Sequence, residues 1–170
     1  RLVRYKRTDV KCPKTDSFIA PRKPLSLLKA AIPFTDEEIT VSYNSNHLFV
    51  KHGTTQMSCR LIDARFPDYK VVIPTDNPYK LTVNKNDFQS ALRRVSVFSN
   101  KSTNQVALSI SGSELQLAAQ DVDFSFEGNE RMKCQYNGED LMIAFNARFL
   151  IEMLSAAESD EINMELSTPT

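Results

Sequence analysis

Tryptophan is absent from the 170 residues, histidine occurs twice, cysteine three times and glycine four times. So few glycines, each expected at a turn, leave no glycine-rich phosphate cradle, and neither a Walker loop nor a GxSxG elbow is present. Cys12, Cys59 and Cys134 are odd in number and far apart, with no CxxC. That pattern excludes a disulfide framework and reads as reduced thiols in the cytoplasm. His47 and His52 stand an odd number of residues apart in or beside one strand, so they point to opposite faces and share no metal. No signal peptide, lipidation site or membrane-length apolar run occurs, and no membrane role is expected. Charge of one sign is missing as well: 21 Lys and Arg balance 21 Asp and Glu. A globally basic nucleic-acid binder is thereby excluded, although a local basic face is not.

What is present recurs. Phe18-Ile19-Ala20 is β-prone, and Pro21-Arg22-Lys23-Pro24 begins a helix with proline in its first turn. Leu25, Leu28 and Ile32 form one apolar stripe, widened by Leu27 and Ala31. Strands follow over 39–43, 47–51 and 56–62, the first two joined by Asn44-Ser45-Asn46. The order β-α-β-β-β then returns. A strand over 80–83 leads to capping residues between Asn84 and Asp87 and a helical stripe of Phe88, Leu92 and Val95. Strands over 106–110 and 115–119 flank the hairpin signal Ser111-Gly112-Ser113. Two more, over 123–127 and 132–136, are expected to turn at Gly128-Asn129. A third round begins with a strand over 141–144, the cap candidate Asn146, the stripe Leu150, Met153, Leu154 and Ala157, and a strand over 162–167. The pattern predicts an α+β protein of repeated units, with antiparallel sheets carrying helices on one face.

Catalytic groups are sparse. Asp121 and Asp123 would share a strand face and could hold a divalent ion, as in a metal-dependent nuclease or phosphatase, but no third ligand is evident, and an edge strand guarded by charge is the favoured reading. Ser99 and Ser113 have no histidine at suggestive spacing. The placement of cations says more. Arg22, Lys23 and Lys29 lie on the first helix, Lys85, Arg93 and Arg94 on the second, Arg148 on the third, where acids are few. Three equivalent helices with the same bias suggest one positive surface for phosphate backbones. The connector in CRLIDARFPDYKVVIP is also unusual. A solvated linker would be Gly, Ser and charge, whereas Phe66, Tyr69 and Val71-Val72-Ile73 ask to be packed.

These residues resemble a known family. RLIDARFPDYKVVIP (60–74) resembles the signature ending the middle domain of bacterial sliding clamps, the beta subunit of DNA polymerase III. IAFNARFLIEML (143–154) resembles that family's last strand-to-helix junction. SFIAPRKPLSLLKA and NKNDFQSALRRVSVFSN resemble the helices of the preceding repeats, and RLVRYKR resembles the segment after the family's Gly-His.

The resemblance implies the DNA clamp fold, here incomplete: residues 1–76 as the second half of the middle domain, and 77–170 as the last domain, truncated. The chain begins at Arg1 without methionine and stops at Pro169-Thr170 inside a strand-like run, so a fragment is expected. By the same resemblance, the full protein is a homodimeric ring around duplex DNA. It is a non-catalytic processivity factor, needing no cofactor, that tethers the DNA polymerase III alpha subunit, the clamp loader and other proteins carrying clamp-binding peptides. Arg1, Leu2, Pro67, Val71 and Val72 would line one side of the peptide cleft, and Asn146, Phe149, Pro169 and Thr170 the other. The apolar run over 71–73 would equally pack a seam between domains. Arg22, Lys23, Lys29, Lys85, Arg93 and Arg148 would face DNA. Val97, Phe98, Asp121 and Asp123 would lie at the dimer interface; strand alternation would point Val122, Phe124 and Phe126 the other way, into the core. With its ring partner absent, the chain is expected to be a monomer that pairs weakly with itself when concentrated.

Overall fold

The computed structural model describes residues 3–11, 14–32 and 37–167, which fall into two compact units. One spans Lys6–Lys70; the other begins at Val71 and takes in the first described residues, with the Tyr5 hydroxyl bonded to the Glu158 carboxylate. No helix among the described residues is long and apolar enough to cross a membrane.

In the unit Lys6–Lys70, α1 (Arg22–Ala31) precedes β1 (Thr40–Tyr43), β2 (His47–His52) and β3 (Thr55–Arg60), an antiparallel sheet in that order. Asn44 sets the first hairpin, its side-chain oxygen accepting from the backbone N–H groups of Asn46 and His47 at 2.9 and 2.8 Å. Gly53 turns the second with φ +55°, a conformation in which glycine has no Cβ to clash. The core is small. Leu48, Val50 and Cys59 are buried, with Leu28 of α1 and Ile32, which follows it, packed against them. The rest of the expected stripe stays in solvent: Leu25 and Leu27 are exposed, Leu27 at 67%. Val41 and Tyr43 pair with Val50 and Leu48, which places them on the helix-covered face, yet they too are exposed. The sheet face is wider than one helix covers.

The second unit holds two sheets. β4 (Tyr79–Asn84) lies between β10 (Glu161–Leu166) and β8 (Gln135–Tyr136). β7 (Phe126–Lys133), β6 (Glu114–Asp121), β5 (Gln105–Ser111) and β9 (Leu141–Asn146) form the other, in that order and antiparallel. Two helices, α2 (Lys85–Val95) and α3 (Ala147–Ala156), supply Phe88, Ala91, Leu92, Val95, Ala147, Leu150 and Leu154 to one core. Each begins on a cap. Asn84 accepts from the N–H groups of Asn86 and Asp87, and Asn146 from that of Phe149. A cap of this kind stabilises a helix by about 1 kcal/mol. Gln89 joins the helices through Ile151 O and Ser155 Oγ. The α+β expectation of repeated units, antiparallel sheets and one-sided helices holds.

The turn expected at Gly128-Asn129 is not there. Both residues lie inside β7, and the chain reverses earlier, between Asp121 and Phe126, with Ser125 at φ +55°. The earlier reversal changes which of these side chains are covered, although Phe126, opposite Asp121, keeps to the helix face. Asp121 is 3% exposed, whereas Val122, Phe124 and Phe126, expected in the core, are exposed at 76%, 66% and 56%. Met153, expected on the apolar stripe of α3, is exposed also.

Candidate peptide cleft, basic helices and edge strand

Phe66-Pro67-Asp68 runs exposed into a single 3-10 turn, Tyr69–Val72. The rings of Phe66 and Tyr69 meet edge to face at 6.4 Å between centroids. Pro67 is exposed, and Val71 and Val72 are exposed at 79% and 75%, so the aliphatic run after the turn projects into solvent. Aliphatic surface at this density needs a covering group. On the other expected wall, the Asn146 amide is committed on both sides: Nδ2 donates to Thr103 O at 2.8 Å and Oδ1 accepts from Phe149 N at 3.3 Å. Asn146 therefore shapes the first turn of α3, from which Phe149 projects with 44% of its surface exposed. Arg1, Leu2, Pro169 and Thr170, also expected in the cleft, lie outside the described residues.

The expected DNA-facing cations divide. Arg22, Lys23, Lys29, Arg93 and Arg148 are exposed. Lys85 is half-buried, and its Nζ donates to Ala157 O at 3.1 Å, where an ammonium meets the unsatisfied carbonyls at the end of α3. Its role is to hold α3 against the start of α2, a use that helix position alone does not reveal. Arg94 is similarly occupied. Its guanidinium forms a fork with the Glu130 carboxylate, Nε to Oε2 at 3.0 Å and a second bond from the other nitrogen to Oε1. That bond, and Arg94's charge, hold the Glu130 carboxyl below the usual carboxylate range.

Asp121 and Asp123 do not share a strand face. Asp121 closes β6, and its Oδ1 accepts from the Asp123 N–H at 3.1 Å and from Asn100 Nδ2 at 3.5 Å. Asp123 sits in the turn, accepting from the same Asn100 amide at 3.4 Å. The two carboxylates thus pin the turn, and Asp121 is too deeply buried to meet a partner's basic edge. Among the described residues no three His, Cys, Asp or Glu side chains gather as a metal site. His52 Nε2 lies 3.0 Å from Glu37 Oε2. Burial and then the Glu114 carboxylate push the Cys134 thiol up, which keeps it in its protonated, unreactive form.

Val97 and Phe98, in a 3-10 turn directly after α2, are exposed. They adjoin β7, the last strand of its sheet, and the rings of Phe124 and Phe126 stack at 6.1 Å between centroids. Sequence reading missed this aromatic cluster because it placed the reversal at the glycine.

The sequence profile of the DNA polymerase III beta subunit, C-terminal domain, matches residues 70–170. The chain belongs to the DNA polymerase III beta subunit family. It is 30% identical over 151 residues to the beta sliding clamp of Haemophilus influenzae, covering 89% of the chain and 41% of that protein. The Escherichia coli K12 beta sliding clamp is 27% identical over 151 residues, with 89% of the chain and 41% of that protein covered. A crystal structure of the Pseudomonas aeruginosa beta subunit superposes with a TM-score of 0.83 at 25% identity, over 92% of this chain and 43% of that one. The Bartonella birtlesii sliding clamp bound to griselimycin gives 0.77 at 33% identity, over 89% and 41%. The chain therefore spans about two fifths of the sliding clamps it matches, and its fold is that of part of a DNA clamp.

Proposed function

We propose that this chain serves as part of a DNA sliding clamp, a non-catalytic processivity factor of the DNA polymerase III holoenzyme, acting in the cytoplasm. The family match over residues 70–170 carries the reading. Exposed cations on successive helices support the DNA-facing part. Arg22, Lys23 and Lys29 on α1, with Arg93 on α2 and Arg148 on α3, are suited to loose, sequence-independent phosphate contact with encircled duplex. The exposed run at Val71 and Val72, with Pro67 before it, and the projecting Phe149 support a peptide cleft. Its ligands are the clamp-binding tails of the polymerase alpha subunit, the clamp loader and other partners. An apolar floor with few polar groups suits such a peptide. Residues 1–76 and 77–170 correspond to parts of the middle and last clamp domains. Val97 and Phe98 beside the open edge of β7 mark where a homodimeric ring would close.

A reconstituted, clamp-dependent primer-extension reaction tests the tethering role. Excess chain should shorten the products by competing for the polymerase's clamp-binding tail. Unchanged product length at saturating chain would remove the reading. Labelled duplex should stay intact through a magnesium titration, and cleavage would restore the nuclease alternative.

A further inference from the structure

The dipeptide Asn-Gly occurs once in the sequence, at Asn137-Gly138, and the fold has a use for each residue. Asn137 directly follows the short strand β8 and prolongs its pairing with β4. Its N–H donates to Lys80 O at 3.2 Å, and its side-chain Oδ1 accepts from the Lys80 N–H. The side chain thus stands in for a backbone carbonyl in the ladder. Gly138 is required by packing. A Cβ there would lie 2.6 Å from Cδ1 of Tyr79 and 2.5 Å from Cζ of Tyr136, so no other residue fits without displacing a ring. Asn137 is exposed, and neither its Nδ2 nor the Gly138 N–H has a hydrogen-bond partner among the described residues. The fold therefore keeps an asparagine amide and a free, unhindered backbone nitrogen side by side in water.

We propose that Asn137-Gly138 is a self-modification site, at which the chain converts its own asparagine to aspartate and isoaspartate and thereby loosens the start of β4. The Gly138 nitrogen, having lost its proton to hydroxide, attacks Asn137 Cγ. The new N–Cγ bond closes a five-membered imide, a ring closure that gains from proximity within one chain. The Cγ–Nδ2 bond breaks, and Nδ2 takes a proton from water and leaves as ammonia. Water then opens one of the two C–N bonds of the imide. Opening at Cγ gives aspartate; opening at the main-chain carbonyl gives isoaspartate. Water enters and ammonia leaves, with no oxidant or reductant. Either product adds a carboxylate beside the exposed Glu139 and Asp140. Isoaspartate also routes the main chain through the former side chain, so the ladder gains a methylene where Lys80 had its acceptor. The proposal stands on this local chemistry and does not require the clamp reading.

Incubating the folded chain at mildly alkaline pH and mapping its peptides by mass spectrometry tests the site. Asn137 should deamidate several-fold faster than Asn44, which precedes a serine and whose oxygen is held by two N–H groups. The rate should rise with hydroxide concentration. Labelling by an isoaspartate-specific methyltransferase should fall on the peptide that carries residue 137. Asn137→Gln, which would have to close a larger ring, should remain unmodified at that position. The structural consequence is read by hydrogen exchange. In the isoaspartyl form, separated by ion exchange, the Lys80 amide should exchange several-fold faster than in the fresh chain, while amides within β5 keep their rates. Freshly prepared Asn137→Asp, which retains an acceptor, should keep Lys80 protected. Deamidation at Asn137 no faster than at Asn44, or indifferent to hydroxide, would overturn the proposal. So would unchanged exchange of Lys80 in the isoaspartyl form.

Discussion

The ring of Phe98 lies over the backbone of Gly128, so close that a Cβ on residue 128 would stand 2.8 Å from the ring's Cγ and 2.9 Å from its Cε2. Gly128 does not turn the chain. It is the gap in β7 into which the segment after α2 settles. Gly128→Ala should expel the ring, with a loss of about 1–2 kcal/mol, the scale of a local overpacking. Phe98→Ala should remove most of that penalty. Urea melts of both single variants and the double variant give the coupling energy, and strictly additive losses would show that the ring does not depend on the gap.

Glu130 gives stability a pH dependence whose sign follows from Arg94. The bond from Arg94 lowers the carboxyl's pKa in the folded state, so the unfolded chain takes up its proton first. The contribution is full above the ordinary glutamate value, about 4.3, and is lost as pH falls through the folded value. Glu130→Gln should flatten this part of the acid limb in a series of thermal melts, and Arg94→Met should do the same. An unchanged slope in both variants would mean that the ion pair contributes nothing, as many exposed pairs do not.

Helix cores were legible where apolar spacing and cap agreed. Phe88, Leu92 and Val95 all reach the interior, and Asn84 and Asn146 both cap. On α1 the spacing was equally clear, yet Leu25 and Leu27 stay exposed, because periodicity reports a face and not whether anything covers it. The reversal near β7 was misread for a different reason. Glycine signals either a turn or a close approach, and only the position of Phe98 tells which. Lys85 and Arg94 show the same limit for charge: their helix positions were evident, but their partners, Ala157 and Glu130, come from distant segments. The dipeptide Val71-Val72 was legible as an anomaly, since so much aliphatic surface has no place in a solvated connector.

Phe88 is fully buried at the junction of α2 with the sheets. Phe88→Ala should cost about 3–5 kcal/mol. Tryptic digestion should then cut within the segment from Val71 onward while Lys6–Lys70 keeps its own rate if the two units unfold separately. Equal acceleration in both would show that they melt together.

The basic face makes a salt-dependent prediction. Arg22 and Lys23 are exposed at the start of α1, and reversing both to Glu replaces attraction to phosphate by repulsion without touching the Leu48–Val50 core. Duplex retention, read by anisotropy with a labelled DNA, should fall at low salt, and the difference from wild type should fade as ionic strength rises and screening shortens. A difference that ignores salt would indicate a change of shape instead of charge.

The cleft makes the most specific demand on single residues. Val72 is exposed on the turn after Pro67, and Phe149 projects from the turn that Asn146 caps. If both contact a bound peptide, Val72→Asp places a charge against an apolar ligand, and Phe149→Ala removes an aromatic anchor. Each should weaken a polymerase-tail peptide by about 1–3 kcal/mol, the usual range for an anchor residue. Neither should lower the melting temperature much, because neither side chain belongs to the core. Asn146→Ala separates position from contact. It should weaken the peptide through a frayed first turn of α3 and also lower stability by about 1 kcal/mol. Anisotropy titrations with a fluorescent peptide, run beside thermal melts, distinguish these outcomes. Unchanged affinity in both Val72→Asp and Phe149→Ala would remove the cleft from this surface.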